Sequence, residues 1–116
     1  MNDAVLFEAR DDGIAIITLN RPETRNALSK DVRQGLFSAW ERFESDVNLR
    51  VAILTGAGEK AFCAGGDLKE FNAAGPDLPK LASDMLTDFH GGIYKMNRMA
   101  KPFVAGVNGA AGGAGM

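Results

Sequence analysis

Two short apolar runs open the chain, and the hydrophobic positions then switch to a helical rhythm. Val5 to Arg10 and Ile14 to Leu19 are short β-prone runs separated by Asp11, Asp12 and Gly13, which predicts a hairpin with a tight acidic turn. Arg21-Pro22-Glu23 breaks the second run, because proline cannot donate to a ladder and biases its predecessor away from helix. A loop carries Thr24 to Leu28. Ser29 then stands as an N-cap with Asp31 in the first turn, and Val32, Leu36, Trp40, Phe43 and Val47 recur at spacings of four, four, three and four. An amphipathic helix is the consequence of that spacing. Val51 to Thr55 is a continuous apolar run and predicts a strand buried on both faces, so strand, helix, strand points to a crossover unit. Gly56 to Asp67 reads as one glycine-rich loop ending in a helical turn at Leu68 to Phe71, and Pro76 and Pro79 punctuate the chain before the next helix. From Leu81, the residues Met85, Phe89, Ile93 and Met96 mark a second long helix despite Gly91 and Gly92, which weaken it by roughly 1 kcal/mol each. Lys101-Pro102 ends it, Phe103 to Val107 predicts another buried strand, and Asn108-Gly109 opens a final loop.

Composition narrows the classes. The chain has 116 residues, 46% hydrophobic and 24% charged, an ordinary globular balance for one domain. Thirteen Lys plus Arg against fifteen Asp plus Glu leave a net charge of -2, with no basic excess to neutralise nucleic acid or hold an anionic membrane surface. One cysteine and one histidine build neither an internal disulfide nor a usual zinc site. With no bilayer-length apolar run and no signal-like start, the expectation is a soluble cytoplasmic protein. Five glycines, Gly106, Gly109, Gly112, Gly113 and Gly115, crowd the last eleven positions, and such a segment is expected to continue into a longer polypeptide beyond Met116.

Several motifs invite chemistry. Gly56-Ala57-Gly58-Glu59-Lys60-Ala61 satisfies the Gly-x-Gly-x-x-Ala form of a dinucleotide fingerprint, but a true one opens directly into a helix and meets an acidic residue after the next strand. Cys63 and His90 suggest a nucleophile and base, yet nothing in the sequence supplies an activating environment, and core packing and a helix face explain them. Trp40 and the methionines of the second helix sit on apolar stripes. The pair of small-residue loops, Ala61 to Leu68 and Val107 to Gly115, resists so plain a reading. Each comes after a predicted strand, and two such loops at adjacent strand ends can aim two N–H groups at one oxygen, which makes an oxyanion hole. Turn and close-packing roles for the same glycines remain the alternative.

Asn20-Arg21-Pro22-Glu23-Thr24-Arg25-Asn26-Ala27-Leu28, then Ala61 to Phe71, then Lys101 to Gly109, resemble the successive motifs of the crotonase superfamily, the enoyl-CoA hydratases and isomerases. The resemblance covers nearly the whole chain in order. It implies an α/β, crotonase-like fold of repeated β-β-α units with strands in two sheets, of which residues 1–116 form the N-terminal part of a single domain. It also implies a homotrimer or dimer of trimers that binds acyl-coenzyme A. By position the Gly66 amide would donate to the thioester oxygen, with a second donor from Ala114 at a helix start, where the helix dipole favours enolate charge. Arg25 matches a basic position near the coenzyme phosphates. Ala27, Leu28, Ala64, Asp67 and Leu68 match the wall around adenine and pantetheine, Ala64 through its carbonyl.

The family's hydratases use two glutamates, the first at the position after Met116, and no acidic residue here matches either. Hydration, isomerisation, hydrolysis and decarboxylation therefore stay open. The sequence supports an acyl-CoA enzyme, an enoyl-CoA hydratase or isomerase, needing no metal or redox cofactor beyond its coenzyme A thioester substrate. The alternatives are a non-catalytic acyl-CoA-binding or assembly subunit of the same fold, and a nucleotide-binding α/β domain. A chain ending at Met116 is expected to associate or fold only in part, since buried strands need neighbours on both sides.

Overall fold

The computed structural model describes residues 3–116. Its elements alternate as two strands and then helix, twice over. Strands β1 (Val5–Ala9) and β2 (Ile14–Leu19) lead to α1 (Lys30–Ser45). Strands β3 (Val51–Gly56) and β4 (Ala61–Cys63) lead to α2 (Leu68–Ala74) and α3 (Leu78–Arg98). A last pair, β5 (Phe103–Gly106) and β6 (Ala110–Ala111), begins a third round. The larger sheet has the order β1-β2-β3-β5, with β1 antiparallel to β2 and the remaining pairs parallel. Strands β4 and β6 form a separate two-stranded parallel sheet.

The hairpin forms where the acidic turn predicts it. Arg10 N donates to Ile14 O at 2.9 Å, and Asp12 Oδ1 accepts from Ile14 N. Helix α1 begins as expected, Ser29 Oγ accepting from Val32 N, and it buries Val32, Trp40 and Phe43 against the sheet. Its C-terminal end is closed from a distance. Lys101 Nζ donates to the carbonyls of Phe43 and Asp46, both at 2.7 Å, a cation at the negative end of the helix.

The structure corrects some of the expectations. Val47 is not on the helix face: it lies past Ser45 and is 89% exposed. The segment from Gly56 to Asp67 is not one loop, because Ala61 to Cys63 pair with β6; three residues are too few to show a period. Strand β3 is sealed on one face only, through Ala52 and Leu54, while Val51, Ile53 and Thr55 are half-buried. The strand predicted at Phe103 to Val107 ends at Gly106 and is the last in the sheet among the described residues, with Val104 56% exposed. Gly113–Gly115 form a 3-10 turn among the described residues. Pro79 falls inside the first turn of α3 rather than before it, a position where its missing N–H is harmless.

Candidate active site

The loop between β2 and α1 is shaped by one side chain. Asn26 is fully buried; its Oδ1 accepts from Arg21 N at 2.8 Å, and its Nδ2 donates to the carbonyls of Ala57 and Ala61 at 3.1 and 3.2 Å. Arg25 and Asn26 have φ of 55° and 56°, a left-handed pair that non-glycine residues adopt only under such constraint. This conformation turns the Arg25 carbonyl to Ala64 N at 3.0 Å and Leu28 N to the Gly65 carbonyl at 2.6 Å. The loop is thereby stitched to the segment leaving β4.

A second seam joins that segment to the last residues. Gly112 N donates to the Cys63 carbonyl at 3.0 Å, and a Cβ built on Gly65, at φ +94°, would stand 2.7 Å from the Gly112 carbonyl and 3.4 Å from Ala114 N. Glycine is required there on both grounds. The two small-residue loops that stand out in the sequence thus meet at Gly65. Among the described residues neither Gly66 N–H nor Ala114 N–H has a hydrogen-bond partner.

Beside this junction lies a cleft of about 460 Å³ lined by Arg25, Ala27, Ala64, Gly66, Asp67 and Leu68, together with Glu23, Thr24, Lys69 and Phe71. Six of the eight candidate site residues from the sequence share this one wall. Leu28 does not: it is buried behind the cleft, bridged to Gly66. Ala114 is exposed and outside the lining, though adjacent to Gly65. Arg25 is exposed and its guanidinium makes no ion pair or hydrogen bond among the described residues, leaving a free cation at the mouth. Asp67 has a structural duty as well, since its Oδ1 caps α2 by accepting from Lys69 N and Glu70 N at 3.0 and 3.3 Å.

The competing motifs dissolve. Gly56 opens into β4 and not into a helix; Gly56 N is taken by Asn108 Oδ1 at 3.1 Å and Ala57 N by the Leu19 carbonyl at 2.8 Å, so these amides do not face a pyrophosphate. A Cβ at Gly56 would meet the Phe62 carbonyl at 2.6 Å, so its close approach is to the protein itself. Cys63 is buried, and burial raises its thiol above the ordinary value of 9.0, the opposite of activation. His90 is on the exposed side of α3 with no hydrogen bond to it among the described residues. Among those residues no group of three His, Cys, Asp or Glu could hold a metal, and no helix is long and apolar enough to cross a membrane.

Residues 9–116 match the Enoyl-CoA hydratase/isomerase family profile. The chain belongs to the enoyl-CoA hydratase/isomerase family. It is similar to (E)-benzylidenesuccinyl-CoA hydratase of Thauera aromatica, 41% identical over 89% of this chain and 39% of the relative. It is also similar to the mitochondrial 3-hydroxyisobutyryl-CoA hydrolase of Gallus gallus, 36% identical over 92% of this chain and 28% of the relative. A crystal structure of an enoyl-CoA hydratase from Bacillus anthracis superposes with a TM-score of 0.89 at 31% identity, over 97% of this chain and 43% of that one. The fold is thus that of the crotonase-type hydratases. This member of the enoyl-CoA hydratase/isomerase family spans about two fifths of the length of the relatives it matches.

Sequence reasoning missed Asn26 as the keystone of the loop, and Arg33, whose buried guanidinium stands behind Leu28. A polar residue inside an expected loop carries no sign of burial, and a helix arginine ordinarily reads as solvated.

Proposed function

We propose that this chain forms the coenzyme A thioester cleft of an acyl-CoA enzyme and polarises the thioester carbonyl with the N–H groups of Gly66 and Ala114. The observation that carries the reading is the meeting of two small-residue loops at Gly65, each with an unpaired amide, beside a cleft walled by Ala27, Ala64, Asp67 and Leu68 with the free Arg25 at its mouth. Preorganised amides act where charge develops, and an enolate formed next to a thioester concentrates charge on its oxygen. Arg25 binds coenzyme phosphates, and the Ala64 carbonyl accepts from the adenine amino group. No metal or redox cofactor enters this chemistry.

The similar proteins are named for hydration and for hydrolysis, and both reactions begin with the same polarised carbonyl. Enoyl-CoA hydration or isomerisation is the reading favoured here, with the acid-base carboxylates supplied from outside these 116 residues and the active assembly a cytoplasmic homotrimer or dimer of trimers. Titration calorimetry with acetyl-CoA, NAD and ATP tests the ligand class: acetyl-CoA binds best, and Arg25→Ala weakens it. In the protein that carries these residues, Gly66→Pro removes one donor and lowers turnover by about a hundred- to a thousandfold, with circular dichroism as the folding control. Cys63→Ser has a far smaller effect. Tight NAD binding without a response to acetyl-CoA would sink the ligand assignment. Thioester binding without turnover in the assembled protein would favour the non-catalytic acyl-CoA-binding reading.

A further inference from the structure

We propose that Arg33 is a positioning residue that holds the Gly66 N–H on its thioester target; the proposal rests on the amide-donor reading given above. The side chain of Arg33 is 2% exposed, an unusual place for a guanidinium on an amphipathic helix. It is kept there by three elements at once. Arg33 Nη1 donates to the Leu28 carbonyl at 2.8 Å and to Glu70 Oε1 at 3.1 Å, and Nε lies 3.8 Å from Asp88 Oδ2 without forming a hydrogen bond. Glu70 Oε2 in turn accepts from Lys30 N at 3.1 Å, so one carboxylate ties α2 to the start of α1.

These contacts grip Gly66 from both sides. On one side, Leu28 N donates to the Gly65 carbonyl. That carbonyl and the Gly66 N–H belong to one planar peptide group, so holding the oxygen fixes the opposite direction in which the N–H points. Leu28 itself is held through its own carbonyl by Arg33. On the other side, Glu70 lies four positions after Gly66, in the helix whose cap is Asp67. A single buried cation therefore sets the separation between the strand-like Leu28 and α2, and the Gly65–Gly66 peptide spans that separation. Lysine does not reproduce this, since its ammonium stands one atom nearer the backbone than Nη1, which makes both hydrogen bonds, and it has no second nitrogen in the place of Nε beside Asp88.

The test compares two ligands that differ at the thioester. Acetyl-CoA and free coenzyme A share every contact of the nucleotide and pantetheine, and only acetyl-CoA offers a carbonyl to Gly66. Calorimetric affinities for both are measured in the assembled protein that carries these residues, unaltered and as Arg33→Lys, Arg33→Met and Glu70→Ala, with the Gly66 amide ¹⁵N resonance followed in parallel. The expected result is a preference for acetyl-CoA that falls by about fivefold in the Arg33 variants, as loss of one well-aligned hydrogen bond implies, with free coenzyme A affinity changed less than about twofold. The Gly66 resonance then no longer shifts on acetyl-CoA binding. Glu70→Ala removes the acceptor that Arg33 uses on α2 and is expected to lower the same ratio, which keeps the test open should the arginine variants fail to fold. An unaltered preference in a folded variant, or equal loss of both ligands, overturns the positioning role while leaving the cleft assignment intact. Failure of the unaltered assembled protein to bind either ligand overturns the cleft assignment itself, and the inference with it.

Discussion

The two halves of the chain bury their surfaces unequally. The buried side chains run from Ala4, just before β1, through β4 at Cys63, whereas α2, α3, β5 and β6 contain no buried residue. The first half closes around Trp40, Phe43, Ile17 and Leu49. The second lies against it through half-buried Phe89, Met96, Met99 and Phe103. Among the described residues the buried core therefore lies in the first half, and the second rests on it through a half-buried seam. The candidate donors stand at the seam. Gly66 follows the last buried strand and lines the cleft, and Ala114 lies in the Gly113–Gly115 turn beside Gly65.

The largest break in this comparison comes from the scaffold. Trp40 is fully buried, edge-on to Phe43 at 6.3 Å and tilted on Phe103 at 5.2 Å. Trp40→Ala is expected to cost about 3–5 kcal/mol, whereas Met96→Ala on the half-buried seam costs less than about 2 kcal/mol. Urea melts measure both, and equal losses would erase the distinction between the halves. A smaller effect sharpens it. Gly91 and Gly92 lie inside α3, and a Cβ at either meets nothing within 4 Å. Gly91→Ala and Gly92→Ala should each stabilise the chain by up to about 1 kcal/mol through helix propensity alone. A fall in melting temperature would show that this face of α3 is packed against something.

The smallest effect concerns pH. Burial raises the Cys63 thiol above 9.0 in the folded chain, so above that pH the unfolded chain loses its thiol proton first and binds fewer protons. Stability therefore falls as pH rises past 9.0 toward the folded value, and none of this contribution is felt below it. Cys63→Ala should flatten that part of the stability profile when urea melts at about pH 8 and about pH 10 are compared. An identical slope in the variant would refute the buried-thiol assignment.

Local order was legible where residues act on their neighbours. The hairpin comes from Asp12 and Gly13 between two β-prone runs, and the start of α1 from Ser29, because turn and cap chemistry are satisfied within a few residues. The six cleft residues were reached through resemblance to family motifs, since nothing in Ala27 or Ala64 alone predicts a ligand wall. Strand β4 was hidden because its partner, β6, lies nearly fifty positions away and neither is long enough to show a period.

The sequence by itself determined the hairpin of β1 and β2, the helices α1 and α3, the strands β3 and β5, the acidic turn, the cap at Ser29 and the two small-residue loops, all of which depend on residues close along the chain. Tertiary structure alone decided that Asn26 is a buried three-way tie, that Arg33 reaches across to Glu70 and Asp88, and that the two loops meet at Gly65. The reason is physical. A polar side chain is buried only when distant backbone and side-chain partners converge on it, and that convergence is a property of the packed fold rather than of any local stretch of chain.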